Sequence, residues 1–224
     1  MNARMNAHVS QPRRAGIVML RGLMLALMAL ALASGCAVRE QREAGAWLDE
    51  REALFATYPD WSVSGRMALS DGSRGGSLAF DWRADGSEHD VHLRTVAGGR
   101  QWRLSFGPNG AMLEGSGIER MWALDPDPLV EAAVGWPVPV REMAWWIRGL
   151  PPPGSQAVVS FAADGALSRV ESDPWVMVYQ RFDQGREALM PSRFQAESGD
   201  YRVRVVLRDW QLGPSRSHPV SKSL

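Results

Sequence analysis

The side chains able to do chemistry are few and poorly placed for catalysis. His89 and His92 stand three apart in a stretch of alternating polarity; on a strand they point to opposite faces and cannot share a metal ion. His8 and His218 lie near the two ends of the chain. Asp81, Asp85, Asp125 and Asp127 could supply paired carboxylates for acid–base work. Asp81, however, falls on the polar side of its alternation, and Asp125 and Asp127 stand where a helix would be capped. There is no G-x-S-x-G elbow, H-E-x-x-H, phosphate-binding loop or dinucleotide fingerprint. The expectation is a protein that is not an enzyme, with no catalytic residue, no metal site and no cofactor.

One reactive group is left. Cys36 is the only cysteine, which excludes an intramolecular disulfide framework and any multi-cysteine metal site. Upstream of it, Arg13, Arg14 and Arg21 precede the apolar run Leu23 to Ala33, the pattern of a signal peptide over residues 1–35. That run, at about 1.5 Å per residue, spans roughly 16 Å, half of a ~30 Å hydrocarbon core, so it reads as an export signal and not as a spanning helix. The Arg13-Arg14 pair lacks the rest of a twin-arginine pattern, and the general secretory route is expected. The run ends in Leu32-Ala33-Ser34-Gly35-Cys36, similar to a bacterial lipobox although Ala33 stands where Leu is usual. Small residues suit the peptidase, the thiol takes a thioether-linked diacylglycerol, and the new N-terminus takes a third acyl chain. The alternative is a secreted protein cleaved after an Ala-x-Ala-like site, with Cys36 incidental. Ala37 replaces the Asp that holds many lipoproteins in the inner membrane, so the outer membrane is the expected destination. Two or more acyl chains anchor stably, and the body would work tethered to a bilayer.

Charge narrows the partners. The 224 residues carry 25 basic and 25 acidic side chains. Arg4, Arg13, Arg14 and Arg21 fall in the signal, which contains no acid, leaving a net charge of −4 from Cys36 onward with Lys222 the only lysine. Such a body is not expected to bind nucleic acid, or an anionic membrane, as its main role.

The elements follow from period. Over 42–58, Trp47, Leu48, Leu54 and Phe55 recur at helical spacing between charged residues, and Pro59-Asp60 ends the helix. From Trp61 the period is two: Trp61, Val63, Met67 and Leu69, then Leu78, Phe80 and Trp82, then Val91 and Leu93, then Trp102, Leu104 and Phe106, and again around Met112 and Trp122. Glycine-rich turns separate these stretches, which indicates an antiparallel barrel or sandwich. Two short helices interrupt, one from the Asp125 cap to Ala133 and one over 140–148. Strand signals resume over 158–161, 167–171, 175–179, 193–197 and from Tyr201 to Leu207. Residues 211–224 read as a disordered Pro- and Ser-rich tail.

All ten tryptophans follow Cys36, and Trp61, Trp82, Trp102, Trp122, Trp145 and Trp146 fall on apolar strand faces or on the middle helices. They form either a Trp-rich core or the lining of a lipid cavity between sheet and helices.

These residues resemble the LolB family. The resemblance rests on the lipobox Cys36, Trp61-Ser-Val-Ser-Gly65-Arg66-Met67, Trp146-Ile-Arg-Gly149-Leu150-Pro151, Trp175-Val-Met-Val-Tyr179, Met190-Pro191 and the closing Asp209-Trp210, in that order and covering nearly all of the chain after Cys36. It implies a mainly β (α+β) domain over 61–210: an unclosed antiparallel half-barrel of about eleven strands, with helices as a lid over an apolar cavity. It implies further a monomeric lipoprotein on the periplasmic face of the outer membrane. There the protein would accept acylated lipoprotein cargo from the carrier LolA and insert it into outer-membrane lipid. The cavity would be lined by Trp61, Met67, Phe80, Trp82, Trp102, Leu104, Phe106, Trp145 and Trp146. A membrane-insertion loop maps to Val96 and Ala97, less apolar than the family's Leu-tipped loop. Arg66 is either structural or a lid contact. The competing function is a tethered assembly lipoprotein whose curved sheet binds protein.

Overall fold

Alternation between Trp61 and Ala123 builds six consecutive antiparallel strands: β1 (Trp61–Ser70), β2 (Gly75–Asp85), β3 (Glu88–Thr95), β4 (Gln101–Gly107), β5 (Gly110–Gly115) and β6 (Ile118–Ala123). The structure, a computed structural model, describes residues 45–213. The signal segment, Cys36 and the tail from residue 214 lie outside the described residues. A second meander follows two helices: β7 (Val158–Phe161), β8 (Leu167–Ser172), β9 (Trp175–Gln184), β10 (Leu189–Ser198) and β11 (Tyr201–Leu212). The meanders join through β1 and β11 into one eleven-stranded sheet, ordered β6-β5-β4-β3-β2-β1-β11-β10-β9-β8-β7. β6 and β7 are its two edges and do not pair, so the half-barrel is unclosed.

Three helices complete the fold: α1 (Ala46–Thr57), α2 (Pro126–Val134) and α3 (Val140–Trp146). The segment carrying α2 and α3 links the two edge strands. Asp125 caps α2 by accepting from the Asp127 amide at 3.2 Å, Pro126 occupies the first turn, and Gly135 closes the helix in the left-handed region. Asp127 caps α3: its Oδ1 accepts the amides of Val140 at 2.8 Å and Arg141 at 3.2 Å. A single carboxylate thus ties the start of α2 to the start of α3. Both helices bury one face, Leu129, Val130 and Ala133 from α2 and Val140, Met143, Ala144 and Trp146 from α3, in one core with the inward residues of the sheet.

Several expectations need correction. The inward stripe of α1 is Trp47, Arg51 and Phe55, with Leu48 and Leu54 only partly buried. Arg51 is 3% exposed; its guanidinium lies 4.3 Å from the Trp47 ring centroid and donates to Met190 Sδ at 3.2 Å. Its long stem lets it pack as an apolar residue would, against an aromatic face. In β5, Ala111 and Leu113 face inward, whereas Met112 pairs outward with Trp122, which is 66% exposed. Reading the alternation one residue out of step reverses the faces of β5 and of the edge strand β6. β11 continues through Gln211 and Leu212, paired with Ser62 and Trp61, so these two residues belong to the sheet and not to a tail. Asp209 adopts a positive φ of 57° beside the register shift in the β1–β11 ladder. That irregularity lets Trp210 pack against inward-facing Trp61, ring centroids 5.7 Å apart.

Candidate functional site

The centre of the inner face is a dry layer. Met67 of β1, Trp82 of β2 and Leu104 of β4 meet Val130 of α2 and Val140 and Met143 of α3, with Leu78, Val91, Leu93 and Val138 completing the ring around a space of about 10 Å³. That is about the volume of one water-sized probe. The two helices therefore fill this part of the sheet's concavity, and the central space has no room for a chain-like ligand while they stay seated. Every lining side chain is buried and apolar except for the indole N–H of Trp82, which donates to His89 Nδ1 at 3.1 Å.

The residues expected to line a cavity divide into two groups. Met67, Trp82 and Leu104 border the central space. Trp61, Phe80, Trp102, Phe106 and Trp146 are buried in the same apolar layer away from it, and Trp145 is only partly buried, with the Arg148 guanidinium 4.0 Å from its ring centroid. Trp61, Trp82, His89 and Phe106 form an aromatic cluster at one end, where the rings of His89 and Phe106 stack with centroids 4.6 Å apart. Nothing in the sequence singles out Val130, Val138, Val140 and Met143 as bordering this space. Helical period marks a buried face, but it does not say which buried side chains end opposite Leu104 and not opposite each other.

The quoted motifs interlock in space. Trp47 Nε1 donates to Gly149 O at 3.2 Å, Tyr179 Oη to Trp146 O at 2.8 Å, and Trp210 Nε1 to Pro191 O at 3.0 Å. Trp146 and Trp175 rings lie 6.0 Å apart. Segments separated by tens of residues thus satisfy one another's backbone carbonyls beside the end of α3, as buried polar groups require. Burial pushes the Tyr179 phenol well above its usual range.

Few ionisable groups adjoin this layer. Burial, with the Arg148 charge nearby, holds His89 down at about 4, so the ring is neutral at pH 7. Indole is a donor only; the His89 proton therefore sits on Nε2. Burial lowers Arg148 to about 10, and its Nε donates to the Ala144 carbonyl at 2.8 Å. Asp127 is raised to about 7, chiefly by burial and further by Asp125 and Glu142, against the amides of Arg141 and Val140. Among the described residues no group of three or more His, Cys, Asp or Glu could hold a metal ion, and no helix is long and apolar enough to cross a membrane. His89 faces inward and His92 outward, where it meets Asp90 at 3.1 Å. Arg66 is exposed on the face opposite the helices, which removes the lid-contact alternative for it.

Val96 and Ala97 occupy the turn between β3 and β4. The turn is closed by Thr95 N to Arg100 O at 2.9 Å and held to β2 by Val96 N to Ser77 O at 3.1 Å. Its Val96 side chain is 53% exposed.

Comparison with known proteins gives consistent relatives. The family described as outer membrane lipoprotein LolB matches residues 59–210. A protein named outer-membrane lipoprotein LolB from Alkalilimnicola ehrlichii is 34% identical over 195 residues, covering 86% of this chain and 98% of its own. One of the same name from Stutzerimonas stutzeri is 32% identical over 200 residues, covering 86% and 96%. Among solved structures, a LolA superfamily protein from Nitrosomonas europaea superposes with a TM-score of 0.51 at 8% identity, over 77% of this chain and 94% of that one, a likeness of fold alone.

Proposed function

The chain belongs to the LolB family of outer-membrane lipoproteins, and from that membership we propose that it receives lipoproteins from the LolA carrier and passes them into the outer membrane. It does so without enzymatic chemistry, anchored through an acylated Cys36 on the periplasmic face. The observation that carries this reading is the wholly apolar layer between the sheet and the α2–α3 segment, in a half-barrel whose edges are unpaired. Helices that link two open edges can lift without breaking a strand ladder.

Magnitudes set the mechanism. Three acyl chains of about 15 CH₂ groups, at about 0.8 kcal/mol each, make bare exposure to water unfavourable by on the order of 35 kcal/mol. Cargo therefore moves between shielded environments, from the carrier's cavity to this one and then to the bilayer. A difference of about 1.4 kcal/mol biases each step tenfold, so no nucleotide is needed. With the central space at about 10 Å³, the acyl chains must displace Val130, Val138, Val140 and Met143 and take over their contacts with Met67, Trp82 and Leu104. The exposed Val96 side chain meets lipid on release.

The test mixes the protein with lipoprotein-loaded carrier and follows cargo. Wild type should take it up, and Met67→Asp or Leu104→Asp, at the border of the central space, should lose it while circular dichroism shows a folded sheet. A folded Asp variant that binds a fluorescent fatty acid normally removes that residue from the pocket. Mass spectrometry should find the mature N-terminus at an acylated Cys36, and Cys36→Ser should remain uncleaved. An unmodified N-terminus elsewhere would overturn the anchor. A wild-type protein that binds no lipid would leave its curved sheet as a protein-binding surface.

A further inference from the structure

We propose that the outer face of the sheet holds a second site, a groove beside the Val96–Ala97 turn that takes the phosphate of an anionic phospholipid headgroup. The groove measures about 730 Å³. Its floor is formed by Ala68 and Ser70 of β1 and by Gly75 and Ser77 of β2, paired Ala68 with Ser77 and Ser70 with Gly75. None of these side chains exceeds a hydroxymethyl group, so the backbone is open to a ligand. Arg202 and Arg204 of β11, opposite Ser70 and Ala68, make one wall, and Thr95 and Val96 the other. At about 4.8 Å per strand the walls stand roughly 14 Å apart, enough for a phosphate and its glycerol.

Charge separates this groove from its neighbours. No Asp or Glu lines it. Of two neighbouring grooves on the outer face, one includes Glu114 and the other Asp81, Asp90 and Asp209, and there Arg94 is bound to Asp81 and Arg103 to Asp90. Here Arg202 shares Glu197 at 2.5 Å, but Arg204 Nε donates only to the neutral Gln195 amide oxygen, at 3.1 Å. Arg66, the outward position before Ala68 on β1 and just outside the groove, is exposed and without an ion pair among the described residues. Arg204, answered by no carboxylate among the described residues, beside an Arg202 that shares one, over a floor of small residues, forms a phosphate site. The exposed apolar Val96 on the opposite rim identifies the phosphate as one at a membrane surface, where charge and apolar contact are met together. The body's net −4 does not reveal this site, because a total charge does not say that one groove is lined by two arginines and no acid.

The inference rests on the anchored reading above, and its experiment is separable from it. The lipidated full chain is reconstituted in phosphatidylcholine vesicles with or without a minor fraction of phosphatidylglycerol. It carries a nitroxide on Ser73→Cys in the β1–β2 turn; acylation of Cys36 leaves this as the one free thiol. Phosphatidylglycerol should raise the lipid exposure of the label, measured against lipid-soluble and aqueous relaxation agents. Arg202→Gln with Arg204→Gln should weaken that response roughly fivefold per arginine, while Arg169→Gln on β8 leaves it intact. A label indifferent to phosphatidylglycerol, or a full response in the double variant, overturns the site. Abolition of the response by millimolar inorganic phosphate would make the ligand a free anion and overturn the lipid assignment. Cargo uptake from the carrier is scored separately on wild type: uptake without a headgroup response sinks only this inference, and the reverse sinks only the proposed function.

Discussion

The Phe80 ring lies over Gly65, its cross-strand partner: a Cβ added to Gly65 would stand 2.7 Å from Phe80 Cε1 and 2.8 Å from Val206 O. Gly65 faces the core in the Trp61-to-Met67 strand, and the missing side chain is the space the phenyl ring occupies. Gly65→Ala should therefore destabilise the protein by about 1–3 kcal/mol through overpacking, read as a lower urea midpoint. Phe80→Leu should recover part of the loss in the double variant, though the Val206 carbonyl remains in the way. Additive effects of the two changes would show that the ring does not depend on that glycine.

Asp127 makes the α2–α3 junction sensitive to pH. Its folded pKa of about 7 lies above the usual carboxylate value of 3.8, so between these limits the folded state binds more protons than the unfolded one, and its contribution to stability falls as pH rises. Asp127→Asn keeps an oxygen for the Val140 and Arg141 amides without the charge. The variant should unfold at a higher temperature than wild type at pH 8 and close to wild type near pH 4. An equal difference at both pH values would mean that the carboxylate does not titrate in this window.

His89 acts in the opposite direction. With its pKa lowered from 6.5 to about 4, the unfolded chain takes up a proton first as pH falls, and stability is lost between these values. Its imidazole signals should titrate near 4, and the Trp82 indole N–H, bonded to Nδ1 at 3.1 Å, should shift together with them. Ordinary titration near 6.5 would show that the ring is in water and not stacked on Phe106.

Val96→Glu should slow insertion of cargo into vesicles and leave receipt from the carrier unchanged. The side chain is exposed, while the turn is held by backbone bonds that Glu preserves. Blocked receipt with normal insertion of preloaded cargo would reverse the role assigned to this turn.

Much of this protein was legible as periodicity. Strand residues buried on one face must recur every second position, so Met67, Phe80, Trp82, Val91, Leu93, Trp102, Leu104 and Phe106 all emerge inward, and the Asp125-Pro126 and Gly135 signals bound α2 closely. The expectation placed on Cys36 and its apolar leader likewise comes from the linear chain alone, because a lipobox is a local pattern. Period becomes ambiguous where a strand has a single paired neighbour or a local kink. Trp122, on an edge, faces water, and Asp209, in the left-handed region, swings Trp210 inward. Other features belong to no segment. The pairing of β1 with β11, the seating of Val130 and Met143 against Leu104, Asp127 bridging two helices and the arginine-walled groove all join residues far apart in the chain. Each depends on how an eleven-stranded sheet curves and what its helices fill, which is settled by packing in three dimensions and not by the local preference of any stretch of residues.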